Sequence, residues 1–432
     1  MGKQQRTAEE TAVVERAFQS LAAGTLGNVT FGKDQALVVR EARGSHLWDF
    51  SGNEYIDYLL GSGPMVIGHA HPDVTEAVAA ALDKGSTYFL TNLPAIELAE
   101  EIIRAVPCAE KVRFTTSGTD ATFQCLRLAR AYRKRDLVLK FEGGFHGMHD
   151  YSLMSLAPRA GQLGEFPAPA SGSGGIPRAV QETVLVAPYN DLQYTADLLA
   201  KRHDEIGAVI IEPMQRVLTP VPGFLQGLRE LCTRYEIPLI FDEVVTGFRV
   251  AYGGAQEYYD VQPDLCALGK VVGGGFALAA VCGRADIMDY YDPAAIASND
   301  FVPMIGTLSG NPIASVAGLA TLQVLRQPGQ YEKLFANGRR LMAAVHETLG
   351  QHEIPHQISG EPPCFDVYFS PTPVTNYREH LAADGARAAR LCAALMRRNI
   401  LKPGQKFYLS LAHTNEDLAA TEQALREAVA EI

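Results

Sequence analysis

Six short apolar runs, spaced through the middle of the chain, constrain the fold more than any other feature. They are Val112-Arg113-Phe114, Leu137-Val138-Leu139-Lys140-Phe141, Thr183-Val184-Leu185-Val186, Ala208-Val209-Ile210-Ile211, Leu239-Ile240-Phe241 and Ala279-Ala280-Val281-Cys282. Most are apolar on both faces, and stretches with helical periodicity separate them. Strands buried on both sides, joined by helical crossovers, make a covered and mostly parallel sheet. The fold class expected is therefore α/β, and its ligands should gather at the carboxyl ends of the strands.

The flanks read differently. Residues 8–23 have the period of an amphipathic helix, with Val13, Val14, Ala17, Phe18 and Leu21 on one stripe. Residues 36–60 hold strand-like runs, Leu37-Val38-Val39 and Tyr55-Ile56-Asp57-Tyr58, parted by glycine turns. Residues 158–178 are rich in Gly, Pro, Ala and Ser and are long for a connection, which suggests a mobile lid or active-site loop. From about residue 311 a long helix begins, and the tail alternates helices with weak strands. The expected division is 1–70 as an N-terminal segment packing with the small domain, 71–310 as the large domain and 311–432 as the smaller α/β domain.

A chain of 432 residues with 47% apolar and 20% charged residues is long enough for a large core. Its net charge of −11 argues against nucleic acid or an anionic membrane as partner. The seven cysteines are odd in number and scattered, with no C-x-x-C, so buried thiols in a reducing compartment are expected rather than disulfides or a zinc ribbon. The polar start Met1-Gly2-Lys3-Gln4-Gln5-Arg6 has no signal-peptide apolar stretch, and no run is long enough to span a membrane. A cytoplasmic location is the expectation.

The chemistry centres on Lys270, in Leu268-Gly269-Lys270-Val271-Val272-Gly273-Gly274-Gly275. A lysine among small residues can bring its amine to a flat ligand and bond it covalently. Asp242 ends the run Ile237-Pro238-Leu239-Ile240-Phe241-Asp242 and can keep a proton on a ring nitrogen. An imine-forming lysine paired with a pyridinium is the core of pyridoxal-phosphate chemistry. Glu243 should point away from Asp242, because strand neighbours alternate faces. Glu212 ends another strand, in register with Asp242. Ser117-Gly118-Thr119 follows a strand and opens a helix, offering free N–H groups and the positive dipole end to a phosphate, although an ordinary N-cap looks the same. Phe145, beside glycines, can stack on an aromatic ring or sit in the core. Thr307, in Gly306-Thr307-Leu308-Ser309-Gly310-Asn311-Pro312, can donate to a phosphate or merely belong to a turn.

Other readings fail on the residues. A Walker A loop would need Gly where Asp264 stands and Ser or Thr where Val271 stands. No G-x-S-x-G or H-E-x-x-H occurs. His146 and His149 have no third ligand near them in the sequence, so no metal is expected.

Taken together, these stretches resemble the class III aminotransferases, fold type I pyridoxal-phosphate enzymes, and among them most of all the glutamate-1-semialdehyde aminomutase-like members. Gly63-Pro64-Met65-Val66-Ile67-Gly68-His69, Ala187-Pro188-Tyr189-Asn190-Asp191, Phe241-Asp242-Glu243-Val244-Val245-Thr246-Gly247-Phe248-Arg249 and Ser410-Leu411-Ala412-His413-Thr414 complete the set, in family order along nearly the whole chain. The resemblance implies that Lys270 forms the internal aldimine and that Asp242 binds the pyridinium. Val244 and Phe145 would pack on the two ring faces. Ser117, Gly118 and Thr119 would hold the phosphate. His146 and Glu212 join the cofactor-binding set, and Thr307 would reach the phosphate of a neighbouring subunit in a homodimer.

The chain departs from the aminomutase pattern around the substrate. A family Arg is absent from Thr25-Leu26-Gly27-Asn28-Val29-Thr30-Phe31, Ser62 stands for a Trp, and Gln405 stands for a Glu. The implied reaction is therefore transfer of an amino group from a small amino compound to a carbonyl acceptor by ping-pong kinetics. Intramolecular amino transfer is the alternative, with an epimerase or a cofactor-binding scaffold behind it. Arg159, Arg178, Lys402 and Lys406 are the candidates for holding a substrate carboxylate.

Overall fold

A computed structural model describes residues 6–27, 32–297, 299–402, 404 and 406–432. At its centre is a seven-stranded sheet of β1 (Lys111–Thr115), β2 (Leu137–Phe141), β3 (Val184–Ala187), β4 (Ile206–Ile211), β5 (Leu239–Glu243), β6 (Leu265–Leu268) and β7 (Ala279–Gly283). The order across the sheet is β1-β7-β6-β5-β4-β2-β3. Strand β7 runs against both its neighbours, while β6, β5, β4, β2 and β3 pair in parallel. All six runs read as strands lie in this sheet; five of them are covered on both faces, while the edge strand β1 exposes Lys111 and Arg113. Every residue of β3, β4 and β5 is buried.

Strand β6 is the one that the sequence did not announce. Leu265-Cys266-Ala267-Leu268 contains no β-branched residue, so propensity offers little signal. Burial between β5 and β7 makes it a strand.

Strands Val39–Arg43, His46–Asp49 and Glu54–Asp57 form an antiparallel meander, to which Ile400–Leu401 from the far end of the chain adds in parallel. The run Leu37-Val38-Val39 contributes only its last residue to a strand. The first helix, Ala8–Ser20, is capped by Thr7 and ends before Leu21, so it is shorter than its periodicity suggested. A third sheet joins Gln357–Glu361, Cys364–Tyr368 and Phe407–Tyr408. Among the described residues, no helix is long and apolar enough to cross a membrane.

The segment 158–178 is pinned rather than loose. Val186 N donates to Pro167 O at 3.0 Å. Arg378 lies over the Phe166 ring at 4.1 Å and donates to Gly164 O at 2.8 Å. Tyr377 Oη donates to Pro158 O at 2.9 Å. A single aromatic anchor, Phe166, gives this otherwise small-residue segment something to pack with.

Candidate active site

Because the strands point the same way, the residues that follow β2, β4, β5 and β6 meet at one edge of the sheet. Asp242 pairs in register with Ala267, so Lys270, just past the end of β6, leaves the sheet beside it. Asp242 is 5% exposed. Its Oδ2 lies 2.9 Å from His146 Nδ1, and its Oδ1 accepts from Val244 N at 3.1 Å. Burial pushes the Asp242 carboxyl up to about 7, against the pull of the Val244 amide and Lys270. Burial and Lys140 hold His146 down to about 3, so the ring is neutral. A neutral imidazole with its proton on Nδ1 donates to the carboxylate and leaves Nε2 as an acceptor. That Nε2 is buried without a partner among the described residues.

Glu243, next in the strand, faces the other way. It accepts from Thr246 Oγ1, Ala255 N and Gln256. Alternation along β5 therefore divides the two carboxylates between a site and a structural cap.

Lys270 begins a 3₁₀ turn with φ 51, the left-handed region that non-glycine residues seldom occupy. Burial pulls its amine down to about 8, and Lys406 adds to the effect, while Asp242 opposes it. Val244 sits between Gly118, at the helix start, and Gly269, which precedes Lys270. A Cβ on Gly118 would lie 2.9 Å from both Val244 methyls, and one on Gly269 would lie 3.1 Å from Cγ1. Larger residues there would push Val244 out of place.

Ser117 caps the helix Gly118–Arg133, its Oγ accepting from Asp120 N at 3.2 Å. Ala121 N donates to Ser117 O. No described residue accepts from the N–H groups of Gly118 and Thr119, which remain at the positive end of the helix. Two free amides, two hydroxyls and the dipole fit a phosphate. A buried carboxylate held by a neutral histidine fits a protonated ring nitrogen. The donor set thus suits pyridoxal phosphate.

Lys140 explains how the loop after β2 keeps its shape. Its ammonium, fully buried, donates to Gly144 O at 3.1 Å, Ser152 O at 2.6 Å and Met154 O at 2.6 Å. That brackets Phe145 and His146. Glu212 Oε2 accepts from Phe145 N at 2.8 Å and so ties β4 to the same loop. Sequence reasoning read Lys140 only as part of a strand. An interior lysine in an apolar run was the available signal.

Thr307 is exposed and does not join this group within the chain. The carboxylate candidates separate clearly. Arg159 is on the surface. Arg178 is also exposed and pairs with Glu182 one helical turn on. Lys402 is buried against Asp366 at 2.7 Å and touches Cys392 Sγ at 3.7 Å. Only Lys406 lines the cavity in front of the site, where Arg216, unread in the sequence, joins it. Gln405 and residues 28–31 lie outside the described residues.

A sheet of this order, with a lysine past one strand and an aspartate ending the next, defines a fold type I pyridoxal-phosphate enzyme. Residues 30–378 match the family model for class III aminotransferases. The chain belongs to that family, whose members depend on pyridoxal phosphate. A glutamate-1-semialdehyde 2,1-aminomutase of Desulforudis audaxviator (strain MP104C) is 41% identical over 403 residues, 92% of this chain and 91% of the relative. An omega-transaminase from Sphaerobacter thermophilus superposes with a TM-score of 0.93 at 34% identity, covering 99% of this chain and 98% of its own. A glutamate-1-semialdehyde aminomutase from Pseudomonas aeruginosa PAO1 gives 0.85 at 27% identity, covering 98% and 94%.

Proposed function

We propose that this aminotransferase works through Lys270 and Asp242, releasing a carbonyl product from one substrate before the next one binds. The observation that carries this reading is the placement of Lys270 one strand away from Asp242, each shifting the other's proton affinity. Bound pyridoxal phosphate supplies an aldehyde that captures amines and a ring that draws electrons from the adjacent carbon. Lys270 offers the amine that holds the aldehyde. With its amine pulled down to about 8 by burial, it gives up its proton more readily than an ordinary lysine. Once displaced, it is suited to move a proton at the substrate carbon. Asp242, kept in place by His146, would hold the ring nitrogen. Ser117, Gly118 and Thr119 would receive the phosphate, and Phe145 and Val244 would lie against the ring. Glu212 positions Phe145.

A homodimer is part of the same reading, with Thr307 contributed across the interface. Support comes from the apolar surface around Thr307, where Phe89 is 66%, Leu90 77% and Ile305 85% exposed. The division at 71–310 and 311–432, with 1–70 beside the latter, draws support from the sheets, since the central one lies within the first span and Ile400–Leu401 joins the N-terminal meander. Free, mostly buried cysteines favour a reducing, cytoplasmic location.

The test is a panel of amino donors offered to the holoenzyme and followed by cofactor absorbance, with Lys270→Ala as the blank. Conversion by a donor, together with a released keto or aldehyde product, supports transfer between two substrates. Conversion without any free product favours the aminomutase. No conversion by any donor ends the reading.

A further inference from the structure

A cavity of about 430 Å³ opens in front of the site, with Phe145, Arg216 and Lys406 among its lining residues. Its acids are already matched. Asp366 is paired with Lys402 at 2.7 Å. Glu142, just behind, is paired with Arg378 through two bonds. Glu212 spends its oxygens on the amides of Phe145 and Arg216.

Two cations in this wall have no such partner. Lys406 is 5% exposed, and its ammonium lies 5.6 Å from the Tyr408 ring. The Arg216 guanidinium lies 5.2 Å from the Phe145 ring. No described residue forms an ion pair with either. Both rest on aromatic faces, which hold a cation in place without neutralising it. Arg216 stands at the tip of the tight turn closed by Gln215 and Leu218, with φ 62. Gln215, 1% exposed, fastens that turn by donating to Glu142 O at 2.7 Å. The Arg216 position is therefore built, and its backbone strained, to present a guanidinium here. Burial also pulls the Lys406 amine below the usual lysine range, with Arg216 adding to the pull. Two like charges held together in a largely buried wall call for an anion. The phosphate cradle at Gly118 and Thr119 is not part of this cavity's lining.

We propose that Arg216 and Lys406 form the subsite for the carboxylate of the amino substrate, so that the chain selects amino acids over simple amines. The proposal rests on the aminotransferase reading. Arg216 offers a planar fork that matches a carboxylate's two oxygens, and Lys406, whose charge acts on Lys270, adds a point charge.

Matched donors test it: alanine with ethylamine, phenylalanine with phenethylamine, and γ-aminobutyrate with propylamine. For at least one pair, the wild-type holoenzyme should favour the acid in kcat/KM. Arg216→Gln and Lys406→Met should each cut that preference about 10- to 100-fold, mostly through KM. Arg216→Lys should fall between, keeping the charge and losing the fork. A second readout does not depend on turnover. Phenylpropanoate, which has no amine, should raise the melting temperature of wild-type holoenzyme and not that of Arg216→Gln. No preference in any pair, or a preference that both cofactor-loaded variants retain, overturns the subsite alone. A wild type that no donor converts sinks the aminotransferase reading and the subsite with it.

Discussion

The floor of the site and its outer wall are built on opposite principles. In the floor almost every buried polar group has a partner. Lys140 is bonded to three carbonyls, Asp242 to His146 and the Val244 amide, and Glu212 to the Phe145 amide. In the wall, Arg216 and Lys406 have aromatic support and no counter-charge. A satisfied network holds one geometry, which is what proton transfer at a fixed atom needs. An unsatisfied one stores attraction for whatever enters. The floor fixes the kind of chemistry, and the wall chooses who undergoes it.

The contrast can be broken most forcefully at the floor. Lys270→Ala should lower turnover by about 10⁴-fold, since it removes both the holding amine and the proton carrier, measured as single-turnover conversion of the cofactor. Asp242→Asn should cost about 10²- to 10³-fold in kcat, as for other electrostatic groups aimed at a reacting centre. The same substitution should stabilise the cofactor-free protein. Folding raises Asp242 to about 7, so between about pH 4 and 7 the unfolded chain loses this proton while the folded chain keeps it. The wild type therefore loses stability relative to Asp242→Asn as pH rises through that window. The gap should level off above pH 7 at a few kcal/mol, since each tenfold change in proton affinity is worth about 1.4 kcal/mol. A gap that stays flat from pH 4 to 8 in thermal denaturation would sink this account.

Lys140→Met comes next. It leaves three buried carbonyls without donors, which should cost about 2–5 kcal/mol of unfolding free energy and loosen the loop that carries Phe145 and His146. Chemical denaturation reads the first effect, and weakened cofactor retention reads the second. The wall should behave otherwise: Arg216→Gln is expected to change donor preference while leaving the unfolding midpoint nearly in place. At the small end stands Arg178→Gln. Its pair with Glu182 is fully on the surface, so stability should move by no more than about 0.5 kcal/mol and no donor should be affected.

The same division decides what could be read from the amino acids alone. Lys270, Asp242 and Ser117-Gly118-Thr119 could be singled out because each sits in a short contiguous pattern: a lysine among small residues, a carboxylate ending an apolar run, and a helix start. Alternation along β5 was enough to separate Asp242 from Glu243. The inner strands were legible because burial on both faces leaves nearly unbroken apolar runs, whereas β1, with Lys111 and Arg113 exposed, was legible only from Val112 and Phe114. Strand β6 was not, since four residues of Leu, Cys and Ala carry no preference strong enough to stand out. Nor was the contact between His146 and Asp242, which lie on different strand ends. The wall was least legible of all. Arg216 looks like any charged residue in a turn. Lys406 was one of four basic candidates until packing sent Arg159 and Arg178 to the surface and bound Lys402 to Asp366. Substrate recognition here is assembled from segments almost two hundred residues apart, and no local pattern encodes that.

Six of the seven thiols are buried, and Cys392 alone is partly exposed, in contact with the Lys402 that neutralises Asp366 in the cavity wall. Nature has thereby left a single partly exposed sulfur, linked through Lys402 to Asp366 of the cavity wall. An environment-sensitive fluorophore attached there, with no engineered mutation, would report occupancy of the chamber in real time, including by molecules that the enzyme holds but never converts.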